Sequence, residues 1–316
     1  MAIGDVVRAR AVHDDCWYVD TGMYDVEEYG SVYLVDGDRP ALVDTGLGTN
    51  VERVLDLLDA ADLAPEALDV IALTHVHLDH AGGAGPLVEA CPNATVFVHR
   101  SGARHLVDPA RLWAGTKQAV GDQIEYYTEP TPIPESRIET LTNGDVIDLG
   151  DYRLRARHAP GHAPHQVVFD APELDAVFTA DAAGIYTPST DEVHVTSPPP
   201  NFDLDGALDD VAMLADLDRT WLCYAHYGPA RIDDRLDEYA TTLETWVEAV
   251  ETARADADDE AVVDHFVETV ETPAVWSDHK ARAEVAMNVR GVLTYLDRRE
   301  ESAESTDSGR GDTADE

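Results

Sequence analysis

Thr74-His75-Val76-His77-Leu78-Asp79-His80-Ala81-Gly82-Gly83 is the stretch that decides how this chain reads. Four side chains able to hold a metal ion fall within six residues, and the gaps between them are small or apolar. His75 and His77, two residues apart, can converge on one ion from a tight loop. Asp79 and His80 can turn toward a second ion, with Asp79 also placed to orient a water held there. One histidine alone is usually structural. A cluster this dense is expected to be part of a metal site whose other ligands lie elsewhere.

Working outward, residues 68–73 are apolar except for Asp69 and read as a strand that delivers the cluster at its C-terminal end. Upstream, residues 16–19, 31–35 and 41–44 are short β-rich runs separated by Gly/Asp turns, followed by helical spacing of Val51, Val54, Leu55, Leu57 and Leu58. Downstream, residues 82–90 are predicted helical and 95–99 a strand. Strands resume at 146–149, 152–158, 166–169 and 176–179, then comes a helix at 207–217 and a strand at 221–225. This alternation indicates an α/β protein, sheet with helices packed on it. Two Pro-rich excursions, 101–145 and 185–205, interrupt the rhythm and read as lids or binding elements.

After Pro229 the composition turns to helix formers. Three apolar stripes, built on Leu236, Tyr239 and Leu243, on Val262, Val263 and Phe266, and on Val285, Val289 and Val292, predict three amphipathic helices. The expected organisation is a catalytic domain over 1–229 and a C-terminal helical subdomain over 230–299. That subdomain is expected to pack on the sheets or to pair with a second copy as a homodimer. An acidic, disordered tail is expected over 300–316.

Bulk composition bounds the function. No stretch of the 316 residues is long and apolar enough for a membrane span, and the first 20 residues lack a basic segment followed by an apolar run, so a cytoplasmic protein is expected. Acids outnumber bases 63 to 22, for a net charge of −41, and they are scattered instead of forming one block. That pattern reads as a halophile-like adaptation to high salt. It argues against a nucleic-acid partner, although strong salt would screen phosphate attraction anyway. Cys16, Cys91 and Cys223 are odd in number and far apart, and are expected to be buried free thiols.

Three later residues share the setting of the cluster, at or just past a strand end: His162 within Pro160-Gly161-His162, Asp181 after residues 176–179, and His226 before Tyr227-Gly228-Pro229. Together with the first four they make seven N/O donors, enough for two zinc-like ions with a position left for water. The order His-x-His-x-Asp-His, Pro-Gly-His, a strand-terminal Asp, then His before Gly-Pro resembles the metallo-β-lactamase superfamily, in its glyoxalase II-like branch. Asp44 in Leu42-Val43-Asp44-Thr45-Gly46 is similar to that family's first motif.

The resemblance implies an αββα sandwich with two divalent metal ions, foremost Zn, with Fe or Mn as alternatives, at one edge. It implies His75, His77 and His162 around the first ion, Asp79, His80 and His226 around the second, Asp181 bridging, and Asp44 supporting the loop from behind. The family commonly has Gly-Asp where this chain has Ala180-Asp181. The chemistry implied is attack by metal-held hydroxide on a small-molecule ester, thioester, lactone or lactam, with Asp79 catalytic and Tyr186 or Tyr227 as oxyanion or substrate contacts. Two rival readings follow from the same cage. One is an RNase Z-like phosphodiesterase, which the absence of a basic arm disfavours; the other is a mononuclear iron enzyme of the persulfide dioxygenase type.

Overall fold

The computed structural model describes residues 1–308. Seven strands, β1 (Val6–Arg8), β2 (Cys16–Asp20), β3 (Ser31–Val35), β4 (Ala41–Val43), β5 (Val70–Ala72), β6 (Thr95–His99) and β7 (Ile138–Leu141), form the first sheet in chain order. Its first four strands pair antiparallel and the rest parallel. The second sheet begins with β8 (Val146–Asp148), β9 (Arg153–His158), β10 (Val167–Ala171) and β11 (Ala176–Ala180). A separate hairpin, β12 (Ile185–Thr187) and β13 (Glu192–His194), follows, and β14 (Trp221–Tyr224) and β15 (Gly228–Arg231) then complete the second sheet. The helices are α1 (Val51–Ala60), α2 (Leu78–Ala81), α3 (Ala84–Ala90), α4 (Ala103–Val107), α5 (Ala110–Ala119), α6 (Leu204–Asp216), α7 (Arg235–Arg254), α8 (Asp259–Thr269) and α9 (Asp278–Ser308).

Side-chain alternation along the strands sorts these elements into four layers. Tyr33 and Val35 of β3 and Ala41 and Val43 of β4 point inward, where they meet Val167 and Phe169 of β10 and Phe178 of β11. Their neighbours Val32, Leu34 and Leu42 point outward onto Val54, Leu57 and Leu58 of α1 and Leu87 of α3. On the other side, Val168, Val177, Leu222 and Tyr224 face Leu214 of α6, Tyr239 and Leu243 of α7, and Val289 and Val292 of α9. The result is the expected αββα sandwich. Cys16 and Cys223 sit in the core between the sheets, and all three cysteines are buried free thiols.

The three C-terminal helices share one core with the second sheet and form its outer layer. Their stripes are used up on the sheet and on each other. Among the described residues the large apolar side chains that remain exposed are Met1, Val107 and Val146, none of them on α7, α8 or α9. α9 continues to Ser308, into the stretch expected to lack structure from residue 300, because Arg298, Glu300 and Glu301 extend a helix readily. The rest of that expected tail, 309–316, lies outside the described residues. Two further differences arise inside the excursions, where β7 and the β12–β13 hairpin are strands of three or four residues, too short for a periodic signal.

Candidate metal centre

Every candidate ligand leaves the sandwich at the same edge. The loop 73–77 follows β5, His162 lies in the turn between β9 and β10, Asp181 follows β11, and His226 links β14 to β15. The two sheets are tied together at this edge by Val167, whose N–H donates to the carbonyl of Thr74 at 2.8 Å. Ala180 has a left-handed backbone, φ 49°, and the β11–β14 register shifts between Phe178 and Ala180. This bulge re-aims the chain so that Asp181 faces the cluster. Glycine suits such a φ without the ~1–2 kcal/mol an L side chain costs, which accounts for the glycine common in the family at this position. Here Ala180 is held in place by the surrounding buried strands.

The seven side chains separate into two groups whose donor atoms could hold one metal each: His75, His77, His162 and Asp181, and beside them Asp79, His80 and His226. In the first group His77 Nδ1 lies 3.1 Å from His75 Nε2 and 3.0 Å from His162 Nε2, with Asp181 Oδ2 2.9 Å from His162 Nε2. The other carboxylate oxygen, Asp181 Oδ1, is 3.3 Å from both His80 Nε2 and His226 Nε2, and Asp79 Oδ2 is 3.7 Å from each of those nitrogens. One carboxylate thus presents one oxygen to each group.

The backs of the histidines are occupied. Asp44, itself at φ 62°, accepts from the backbone N–H and hydroxyl of Thr74 through Oδ1 and from His80 Nδ1 through Oδ2 at 3.1 Å. His226 Nδ1 donates to the carbonyl of Tyr29 at 3.0 Å. With Nδ1 fixed in both rings, Nε2 is the free nitrogen that points inward.

A cation fits this arrangement. His80 Nε2 and Asp181 Oδ1 are buried and aimed at each other's neighbourhood without a hydrogen-bond partner, a costly state for polar atoms unless something is coordinated between them. Protonation states agree. Burial, reinforced by the neighbouring rings, holds His75 and His77 well below the ordinary histidine range, His77 at about 3, so both are neutral donors. Burial opposes ionisation of Asp79 and Asp181, yet the surrounding histidines outweigh it and keep both below the usual carboxylate range. At His80 burial is outweighed by Asp181 and Asp79, which raise it, so in the metal-free protein a proton occupies the place of a cation.

The cage opens into a cleft of about 480 Å³. The first excursion supplies one wall through α5, with Arg111, Leu112 and Val120; the second supplies Pro198, Pro199 and Pro200; and α9 supplies Glu284 and Met287. Tyr127 reaches this cleft, as do Tyr24 and Tyr29, which drew no attention in the sequence because they sit in an irregular loop between β2 and β3. His165 also lines it, its ring parallel to His75 at 6.0 Å, outside both ligand groups. His158 stacks on His99 instead. A wider depression of about 1000 Å³, between the β12–β13 hairpin and α7, is lined by acids such as Glu192 and Glu238 and holds none of the cage residues.

Two expected contacts are overturned. Tyr186 donates to Asp191 at 2.9 Å and stacks on Tyr224 in the outer core, because β12 turns its ring toward α7. Tyr227 lies in the turn between β14 and β15, and its ring enters the core between the sheets beside Tyr18. Neither lines the cleft.

The family model for the metallo-β-lactamase superfamily matches residues 25–226, which hold the whole cage. The chain belongs to the metallo-β-lactamase superfamily. Metallo-beta-lactamase fold-containing protein ST1585 of Sulfurisphaera tokodaii is 25% identical over 217 residues, 66% of this chain and 77% of that protein. The crystal structure of ST1585 superposes with a TM-score of 0.65 over 84% of this chain and 93% of the other, at 22% identity. Acyl-coenzyme A thioesterase MBLAC2 of Gallus gallus is 30% identical over 182 residues, and the chain spans 61% of that protein's length and matches it over 52% of its own. A metallo-beta-lactamase family protein of Thermus thermophilus, TTHA1429, gives a TM-score of 0.61 over 87% of this chain and 89% of its own, at 25% identity.

Proposed function

We propose that the protein is a dinuclear metal-dependent thioester hydrolase. The observation that carries this reading is Asp181, whose two oxygens face two separate histidine groups at the floor of an apolar-walled cleft. His75, His77 and His162 would hold one divalent cation, Asp79, His80 and His226 the other, and Asp181 both. Zinc suits this set of nitrogen and oxygen donors best, with iron and manganese as the alternatives the same donors accept. When bound, such ions supply an acidified water as nucleophile and electrophilic assistance to the carbonyl under attack.

The chain's own residues do the rest. Asp79, ionised and half-buried at the cleft floor, orients the attacking water and takes its proton. Asp44 holds His80, and the Tyr29 carbonyl holds His226, in the orientation each needs. The apolar wall of Leu112, Val120 and Met287 suits an acyl chain. Arg111 stands at the same wall and suits an anionic thiol carrier such as coenzyme A. Overall, water and thioester give carboxylate, thiol and a proton released to solvent. Similarity to MBLAC2 supports the thioester over the ester, lactone and lactam alternatives. A complete second ligand group disfavours the mononuclear iron reading.

The test is thiol release from butyryl-coenzyme A, followed with a disulfide dye, alongside nitrocefin and bis(p-nitrophenyl) phosphate. The protein's own three thiols are buried and give little background. Thiol release at a kcat/KM at least tenfold above that for the other two substrates supports the proposal. Preferential phosphodiester cleavage would replace it with the nuclease reading, and oxygen uptake with a persulfide would replace it with the dioxygenase.

A further inference from the structure

Three tyrosines, Tyr24, Tyr29 and Tyr127, line the cleft, and counting their protons separates them. Tyr29 donates to Glu284 Oε2 at 2.8 Å, and Glu284 is otherwise engaged by Lys280 and by Asn288 Nδ2 at 3.0 Å. The Tyr29 proton is therefore committed to α9. Tyr24 and Tyr127 hydrogen-bond to each other through their hydroxyls and, among the described residues, to nothing else. Two hydroxyls carry two protons, and a mutual bond uses one. The second has no protein acceptor, although both rings are buried at the cleft wall.

The surroundings strengthen that second proton as a donor. Lys280, one of only two lysines in the chain, is buried with its ammonium 4.1 Å from the centroids of both the Tyr24 and Tyr29 rings. A cation over a phenol ring withdraws electron density and makes the hydroxyl a better donor. The hydroxyl that donates within the pair polarises the one that points away, in the same direction. Burial keeps both phenols protonated, since it pushes them well above the ordinary tyrosine range.

We propose that the Tyr24–Tyr127 hydroxyl pair is a catalytic donor that gives its one uncommitted hydrogen bond to the reacting carbonyl oxygen as negative charge develops there. This rests on the hydrolase reading above. Tyr186 and Tyr227, which the sequence suggested for such a role, are excluded by their positions, and Tyr29 by its bond to Glu284. The arrangement carries a distinctive consequence. Removing either hydroxyl frees the other from the mutual bond, so a donor survives in each single variant and is lost only in the double.

The experiment compares Tyr24→Phe, Tyr127→Phe and the double variant in the full, metal-loaded chain, with metal content and thermal melting as controls for folding. Each single change is expected to lower kcat by less than about tenfold, from lost polarisation alone. The double is expected to lower it by about 10²–10³-fold, the usual cost of losing an oxyanion donor, with KM little changed. A double variant within about threefold of wild type, a loss no larger than the product of the singles, or an effect confined to KM would overturn the proposal. A second arm needs no turnover. Calorimetric titration with phenylboronic acid, whose boron becomes a tetrahedral anion on taking up hydroxide, should show affinity falling at least tenfold in the double and less than about threefold in the singles; equal affinity in all four proteins would also overturn it. A wild type that binds the boronate in this pattern yet hydrolyses no thioester would sink the substrate reading and leave the donor pair standing.

Discussion

At the scale of single residues, the cage depends on side chains that never touch its centre. Asp210 on α6 accepts from the N–H of Gly161 at 2.7 Å and so anchors the turn that carries His162. Gly161 is required there, because a Cβ would lie 2.2 Å from the backbone nitrogen of Ala207. Burial pushes the Asp210 carboxyl up from 3.8 to about 7. Between those values the native state binds a proton that the unfolded chain does not. The stabilisation from this group is therefore fully present below about pH 4 and lost as pH rises through about 7. Asp210→Asn keeps an acceptor for Gly161 and removes the titration. It should be more stable than wild type at pH 8, by roughly 2 kcal/mol, with the advantage gone at pH 4; urea unfolding at the two pH values checks it, and equal midpoint differences would count against it.

Legibility at this scale was uneven for physical reasons. His75, His77, Asp79 and His80 are readable because four donors crowd one loop. His162, Asp181 and His226 stand alone; their shared strand-end setting makes them candidates, and the family's motif order gives each a place in the cage. Tyr24, Tyr29, Lys280 and Glu284 left no local signal at all, since what joins them is tertiary contact between a loop near residue 25 and a helix more than 250 residues later.

At the scale of elements, the C-terminal helices gain a role that their apolar stripes do not reveal. The stripes predict that α7, α8 and α9 are buried on one side, and they are. They do not predict that α9 also builds the cleft. Asn288 Oδ1 accepts from Ser197 N–H at 2.6 Å, Ser197 Oγ donates back to the Asn288 carbonyl at 3.1 Å, and the segment bearing Pro198, Pro199 and Pro200 is thereby held against the helix. The approach is so close that a Cβ on Gly291 would lie 1.7 Å from the Ser197 carbonyl oxygen. Gly291→Ala should force this wall outward, cost about 2 kcal/mol of stability, and raise KM severalfold while both metals stay bound. Steady-state kinetics with metal analysis checks it; an unchanged KM would separate α9 from substrate binding. The excursions were legible as functional elements because Pro-rich interruptions of a strand–helix rhythm are seldom idle. The strands inside them were not, being shorter than a periodic pattern can reveal.

At the scale of the whole molecule, the layer order follows from alternation in the strands and from motif order, and both are visible in the sequence. Net charge is the other global property. At −41 the folded chain repels itself, and the screening length falls from about 10 Å in 0.1 M salt to about 3 Å in 1 M, which weakens that repulsion. The melting temperature should therefore climb by several degrees between 0.1 M and 2 M KCl; a flat profile would mean that self-repulsion contributes little to the stability of the fold.

The central claim concerns seven residues, from His75 to His226, acting as one cage for two ions, with Asp181 shared between its halves. Metal content per chain, measured by plasma mass spectrometry after equilibration with zinc and desalting in high salt, tests it most directly. Wild type should retain two ions per chain and Asp181→Ala fewer than one. A wild type that retains one ion or none, or an Asp181→Ala variant that still holds two, would contradict it.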